Sequence, residues 1–241
     1  MALGEGLEGV VRFRSAVDDA CEVPLSDARA TDLCAAQPWR SFRWRRGQQH
    51  FSGFWWSSTM GGHVTYESRL ELGRLILADF DPAVRVIVSQ PFLLEAPVGG
   101  RTRRHVPDFL LLRGDELVVV NVKPRERLDK AHVRATLDWA NELLERRGWR
   151  TEVWSGTDPD LLANVRFLAG FRRADLFEAD LLADAAQVAP GRTVEETEAL
   201  LAGRWPPVSV RPAVLHLLWS GRLRTDIVRP LDADSTLEAA A

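Results

Sequence analysis

Residues 106–124 read VPDFLLLRGDELVVVNVKP, and the reading of this stretch decides the fold. Two apolar runs, Phe109–Leu112 and Leu117–Val120, flank Arg113-Gly114-Asp115-Glu116. Gly-Asp between apolar strands is a two-residue hairpin signal. With Gly114 and Asp115 as the loop, Arg113 faces Glu116, and the pairing carries back until Asp108 faces Asn121. Opposed residues share a sheet face, with Cβ atoms roughly 5 Å apart. Side chains alternate, so Lys123 falls on the face of Asn121, while Val120 and Val122 point the other way. The expectation is an apolar hairpin whose open end gathers a carboxylate, an amide and an ammonium.

The chain around it has 241 residues, 46% apolar and 27% charged, ordinary for a globular protein of one large domain or of one domain and a small module. Its net charge of −3 excludes a polycation, so any nucleic-acid contact must come from local basic patches. Cys21 and Cys34 form no C-x-x-C pair and no zinc spacing, and fit reduced thiols. No apolar run approaches the roughly eighteen residues of a membrane span, and the acidic, Gly-rich start does not read as a signal peptide. A cytoplasmic protein, nucleoid-associated when bound to DNA and without a membrane partner, is expected.

Upstream, residues 1–60 form a strand-rich extension, with Val10–Phe13 a short strand and QPWRSFRWRR over 37–46 alternating aromatics with arginines. Gly61-Gly62 breaks the chain. A largely buried helix is expected over about 65–80, with Thr65 as N-cap and Asp81-Pro82 as its stop. Val84–Val88 alternates as a strand, which resumes over Phe92–Ala96 after Gln90-Pro91, and Gly99-Gly100 turns the chain into the hairpin. An amphipathic helix over about 129–147, a strand over 151–154 and a helix over 159–171 follow. This order gives a mixed α/β core over 61–173. The tail, 174–241, reads as short helices over 175–186, 194–202 and 210–219. Two strands follow, Leu223–Val228 and Ser235–Leu237, in the outline of a winged helix-turn-helix. A helical cap on the core is the alternative.

Asp108 and Lys123 supply the skeleton of a PD-(D/E)xK nuclease site: Pro-Asp at the mouth of one strand and a lysine at the end of the next. Phosphodiester hydrolysis needs a hard divalent cation to neutralise charge and activate water. Mg²⁺ takes carboxylates, waters and phosphate oxygens. A salt bridge at a sheet end explains the same two residues, so a further acid from the preceding helix has to separate the readings. Glu67 and Glu71 lie one turn apart there. In the expected helix Glu67 falls in the first turn, where it complements the dipole, and Glu71 falls mid-helix among leucines. Glu71 is therefore preferred as metal ligand, with Glu67 as outer or alternative acid.

Ser68-Arg69-Leu70-Glu71-Leu72, Asp79-Phe80-Asp81-Pro82 with Val84 and Gln90-Pro91, Pro107-Asp108-Phe109-Leu110 and Val122-Lys123-Pro124 together resemble the N-terminal domain of TnsA. Gly53-Phe54-Trp55-Trp56-Ser57 and Tyr66-Glu67-Ser68 also fit TnsA-like proteins. TnsA is the endonuclease subunit of heteromeric, Tn7-type transposases. The resemblance implies a restriction-endonuclease-like mixed sheet flanked by helices, with a small C-terminal winged-helix domain. It implies Glu71 and Asp108 as metal ligands with the Val122 carbonyl, Lys123 as catalytic lysine, and Asn121 at the family's glutamine. It also implies Mg²⁺, with Mn²⁺ able to substitute. The activity implied is cutting of the non-transferred strands at double-stranded transposon ends, beside a TnsB-like DDE transposase and an AAA+ regulator of the TnsC type.

Arg101, Arg103 and Arg104 precede the Pro-Asp motif and are placed to guide a phosphate backbone, with Arg125 and Arg127 on the same rim. Arg40, Arg43, Arg45 and Arg46, interleaved with Trp39, Phe42 and Trp44, are candidates to grip phosphates and stack on bases. An edge strand with a solvated arginine face explains them equally. The five histidines share no ligand spacing, and His63 and His105 read as surface or structural residues. Three readings follow: the TnsA-type endonuclease, a stand-alone restriction or repair nuclease of the same fold, and a non-cleaving DNA-binding or bridging protein.

Overall fold

The computed structural model describes residues 9–17, 19–40 and 51–240, and the chain divides into two compact units. The first comprises residues 1–78 and 83–156, the second residues 79–82 and 157–241. Together they make a mixed α/β protein. Among the described residues no helix is long and apolar enough to cross a membrane. Both cysteines are free and half-buried.

The first unit runs β1 (Val10–Arg14), β2 (Ala20–Pro24), α1 (Ala30–Cys34), β3 (Gly53–Ser57), β4 (Gly62–Tyr66), α2 (Arg69–Phe80), β5 (Val84–Ser89), β6 (Leu93–Val98), β7 (Arg101–His105), β8 (Phe109–Arg113), β9 (Glu116–Val122), α3 (Arg125–Leu128), α4 (Ala131–Arg146) and β10 (Arg150–Trp154). The expected hairpin is β8–β9, with Arg113 opposite Glu116 and Phe109 opposite Val120. Gly114 sits in its turn at φ 58°, the left-handed region that glycine takes without steric cost.

The hairpin is the middle of a four-stranded sheet in the order β10-β9-β8-β5. β10 runs parallel to β9, and the other pairs are antiparallel. A parallel pair needs a long crossover, which α3 and α4 supply. Alternation sends Phe109, Leu111, Val118, Val120 and Val122 into a core with Val64 and Tyr66 of β4 and Leu75 of α2. Leu110, Leu117 and Val119 enter a second core with Val11, Leu94, Trp139, Ala140 and Leu144. The strands are apolar at nearly every position because both faces are covered. Each such aliphatic side chain, once fully buried, contributes about 1.5–3 kcal/mol.

The strand after Gln90-Pro91 does not resume in the same sheet. β6 joins a second sheet, β2-β1-β6-β7, through pairing with β1. The N-terminal strands are thus part of the first unit. Gln90 makes the switch at φ 45°, uncommon for a residue other than glycine. Its N–H donates to Asp108 O (2.9 Å) and its carbonyl accepts from Trp39 N–H (2.8 Å), pinning the bend beside Asp108.

The expected helix start at Thr65 is corrected. Thr65 lies in β4 opposite Phe54, its hydroxyl 2.5 Å from the buried Ser89 hydroxyl. α2 begins at Arg69, and Ser68 Oγ accepts the Glu71 N–H at 3.1 Å. Val64 and Thr65 are β-branched and pack well on a pleated surface, so tertiary packing claims them for the strand.

The second unit holds α5 (Pro159–Leu168), α6 (Ala179–Val188), α7 (Val194–Leu201), α8 (Pro207–Trp219), β11 (Leu223–Arg224) and β12 (Glu238–Ala239). Asp158 caps α5, accepting from the Asp160 and Leu161 amides at 2.9 and 3.0 Å. Thr193 and Glu196 close a capping box on α7. α8 is buried along its whole second half, from Ala213 to Trp219. The expected terminal ribbon shrinks to two residues on each side, with the second strand moved to Glu238–Ala239. Asn164 is the reason: its amide donates to Ile227 O and Arg229 O at 2.9 and 2.6 Å and accepts from Leu231 N–H at 3.3 Å. That segment bonds a side chain instead of a ladder.

Candidate active site

Asp108 stands at a bend just before β8, where the chain stops being strand. Its N–H still donates to Val120 O (3.0 Å), but its side chain no longer obeys alternation. Asp108 Oδ2 accepts the Val122 N–H at 2.6 Å and the Lys123 ammonium at 3.0 Å. Lys123 Nζ also donates to Val122 O at 2.9 Å. The Lys123 N–H donates to Trp154 O (2.9 Å), so β10 fixes the backbone on which the lysine is carried. Asp108 is half-buried, and Oδ1 has no hydrogen-bond partner among the described residues.

Asn121 goes elsewhere. It obeys alternation and turns toward α4, fully buried, its Oδ1 2.6 Å from His105 Nε2 and its Nδ2 donating to Asn141 Oδ1 at 3.4 Å. The expected cluster of three at the hairpin end therefore separates into Asp108 with Lys123 and Asn121 with His105.

Glu71 arrives from α2, in the first turn rather than mid-helix. Its Oε2 accepts the Glu67 N–H (2.7 Å) and its Oε1 the Ser68 hydroxyl (2.9 Å). Glu71 therefore has a role in the helix itself, contrary to the expectation from a mid-helix position: it complements the dipole and closes the helix entrance. What distinguishes it is its surroundings. Burial pushes its pKa up to about 7, the Glu67 amide pulls it down, and the Asp108 charge pushes it up again. Two carboxylates that feel each other across a cavity are a recurring mark of functional sites.

Glu67, Glu71, Asp108, Val122 and Lys123 line one cavity of about 520 Å³, with Arg40, Arg104, His105 and Arg127 around them. Among the described residues no three acids, histidines or cysteines gather as a metal cluster. The donor set proposed from the sequence is the carboxylates of Glu71 and Asp108 and the Val122 carbonyl, with Glu67 beside them. Hard oxygens in that number fit Mg²⁺, which keeps several waters and takes few protein ligands. Each carboxylate oxygen has lone pairs beyond the bonds described above.

Of the basic residues named from sequence, Arg104 lines this cavity and is ion-paired with buried Glu95. Arg103 donates to Ala135 O at 3.2 Å, and Arg101 is exposed on β7. Arg43, Arg45 and Arg46 lie outside the described residues. Sequence reasoning reads His105 as a surface or structural residue and does not place it against Asn121. No ligand spacing flags it, and only the pairing of β7 with β6 in the second sheet brings it to Asn121. It also missed the Arg74–Glu152 pair, bidentate at 2.7 and 3.0 Å, which ties α2 to β10.

No curated protein matches the chain. Residues 81–156, which carry the hairpin with His105, Asp108, Asn121 and Lys123 but not Glu67 or Glu71, match the family model for the TnsA-like endonuclease N-terminal domain, and over that segment the chain is TnsA-like.

Proposed function

We propose that this protein is the metal-dependent DNA endonuclease subunit of a transposase, cutting the non-transferred strands at transposon ends beside a DDE transposase. The observation that carries this reading is the convergence of Glu71, Asp108 and Lys123 on one cavity in a chain whose residues 81–156 are TnsA-like. In this reading Glu71, Asp108 and the Val122 carbonyl hold Mg²⁺ or Mn²⁺. Once bound, the cation neutralises phosphate charge and acidifies water. Asp108 also fixes the end of the hairpin, since its Oδ2 clamps the Val122 amide and the Lys123 ammonium. Lys123 offers its N–H donors to the attacking water and the phosphate. Arg40, Arg104 and Arg127 at the rim draw the DNA backbone toward the acids.

The fold reading that accompanies it is a restriction-endonuclease-like core and a winged-helix-like C-terminal unit. Three helices, α6–α8, followed by the short β11–β12 ladder support the latter. An AAA+ regulator of the TnsC type is the further partner this reading names.

The test is cleavage of end-containing DNA by the purified protein with its transposase partner and Mg²⁺. Asp108→Ala is expected to abolish release of the non-transferred strand and to leave complex assembly intact. Cleavage surviving in Asp108→Ala would remove the site assignment. Assembly and DNA binding without any cleavage by the unaltered protein would favour a bridging role.

A further inference from the structure

Asn121 is 0% exposed, and both ends of its amide are engaged. Its Nδ2 faces Asn141 Oδ1, so its Oδ1 is the atom presented to His105 Nε2, at 2.6 Å. An amide oxygen has no hydrogen to give, so the ring must donate from Nε2. Trp139 stands edge-on to the same ring, centroids 6.4 Å apart at 82°, and restricts its rotation. Burial lowers the pKa of His105, the Asn121 bond opposes this, and the Lys123 charge lowers it further. The ring is neutral near pH 7, and its other nitrogen, Nδ1, carries a lone pair. His105 lines the cavity that holds Glu71, Asp108 and Lys123. The lysine and the rim arginines there only donate hydrogen bonds, Glu71 and Asp108 are the proposed cation ligands with Glu67 as the alternative acid, and the Ser68 hydroxyl is engaged with Glu71 as both donor and acceptor. His105 adds a neutral ring acceptor to this set, suited to holding a water that attacks phosphorus.

We propose that His105 is a further catalytic residue of this cavity, its Nδ1 accepting a hydrogen bond from the attacking water, and that Asn121 is the positioning residue that fixes its tautomer. The proposal rests on the nuclease reading above. It assigns Asn121 a function through His105 rather than at the acids, which its side chain does not join.

Two measurements test it. In ¹⁵N-imidazole NMR of the full-length protein, His105 should be in the Nε2–H form, and Asn121→Leu should mix the tautomers. In single-turnover cleavage with the transposase partner, His105→Ala should slow cutting about 100-fold, with DNA affinity within about threefold. Added imidazole should recover part of that rate, which a purely structural histidine would not allow. The double variant His105→Ala/Asn121→Leu should cut no more slowly than His105→Ala, because residues acting as one unit are not additive. An Nδ1–H tautomer in the unaltered protein overturns the proposal whatever the variants do. So does a wild-type cutting rate in His105→Ala while Asp108→Ala is dead, and that result leaves the nuclease reading standing. Wild-type cutting by Asp108→Ala removes both.

Discussion

Glu71 shows how one residue carries two duties with opposite demands. Its carboxylate closes the entrance of α2, yet it does so buried and within range of Asp108. Its pKa is raised from 4.5 to about 7, so the folded state binds its proton more tightly than the unfolded chain does. The stabilising effect of that proton is complete below pH 4.5 and lost as pH rises through 7. Glu71→Gln in EDTA should therefore be more stable than the unaltered protein at pH 8 by about 1–2 kcal/mol, after discount for partial solvent access. The advantage should vanish near pH 4. Denaturant titrations at the two values decide it, and an equal advantage at both would refute the assignment of the shift. Asp108 and Lys123 were legible in the sequence because a two-residue turn fixes the hairpin register. Glu71 was legible as a candidate but for a reason that fails, since the helix starts at Arg69 and places it in the first turn. Asn121 was placed on the correct strand and with the wrong neighbours. Strand alternation governs Asn121 but stops short of Asp108, which lies at a bend.

Among elements, the β8–β9 hairpin is the part that local sequence specifies by itself. Its turn is held at Gly114, φ 58°, whose carbonyl accepts from Arg85. Beyond Gly114 and its two chain neighbours, no heavy atom of the described residues lies within 4 Å of where a Cβ would stand, so a substitution there is felt through backbone conformation. Gly114→Val should cost about 1–2 kcal/mol without altering the folded structure. A melting temperature unchanged from the parent would show that the turn is not held left-handed in solution. The helices α4, α5, α7 and α8 lie where helices are expected over 129–147, 159–171, 194–202 and 210–219. What could not be read is where strands change partners. β5 and β6 look like one interrupted strand, and only the bend at Gln90 and the pairing of β6 with β1 send them to different sheets. The terminal ribbon failed for a similar reason, because the Asn164 side chain, some sixty residues away in sequence, takes over the backbone of 227–231.

For the whole molecule, under the nuclease reading, the net charge of −3 means that DNA would be held against a mildly repulsive background. On that reading the exposed Arg40 and Arg127, at the rim of the cavity, are among the cations that would meet the DNA backbone. Arg40→Ala and Arg127→Ala should each weaken DNA binding alike for all sequences and lower the slope of log affinity against log salt by about 1. A loss of affinity at unchanged slope would mean that neither residue meets a phosphate. The family match covers 81–156, so Glu71 of α2 and Glu67 just before that helix are joined to the TnsA-like segment through the shared cavity and the Arg74–Glu152 pair.

The bond from Lys123 N–H to Trp154 O also has a consequence for the order of events during synthesis. The hairpin can form as soon as its own residues emerge, since its contacts are local. The parallel pairing that anchors Lys123 cannot, because the whole of α4 has to be made before β10 exists to accept it. A nascent chain carrying Asp108 and Lys123 thus spends its early life with the lysine's backbone untethered. Under the nuclease reading, the ribosome releases the chain's cutting geometry late, after residue 154 has emerged rather than when the motif itself appears.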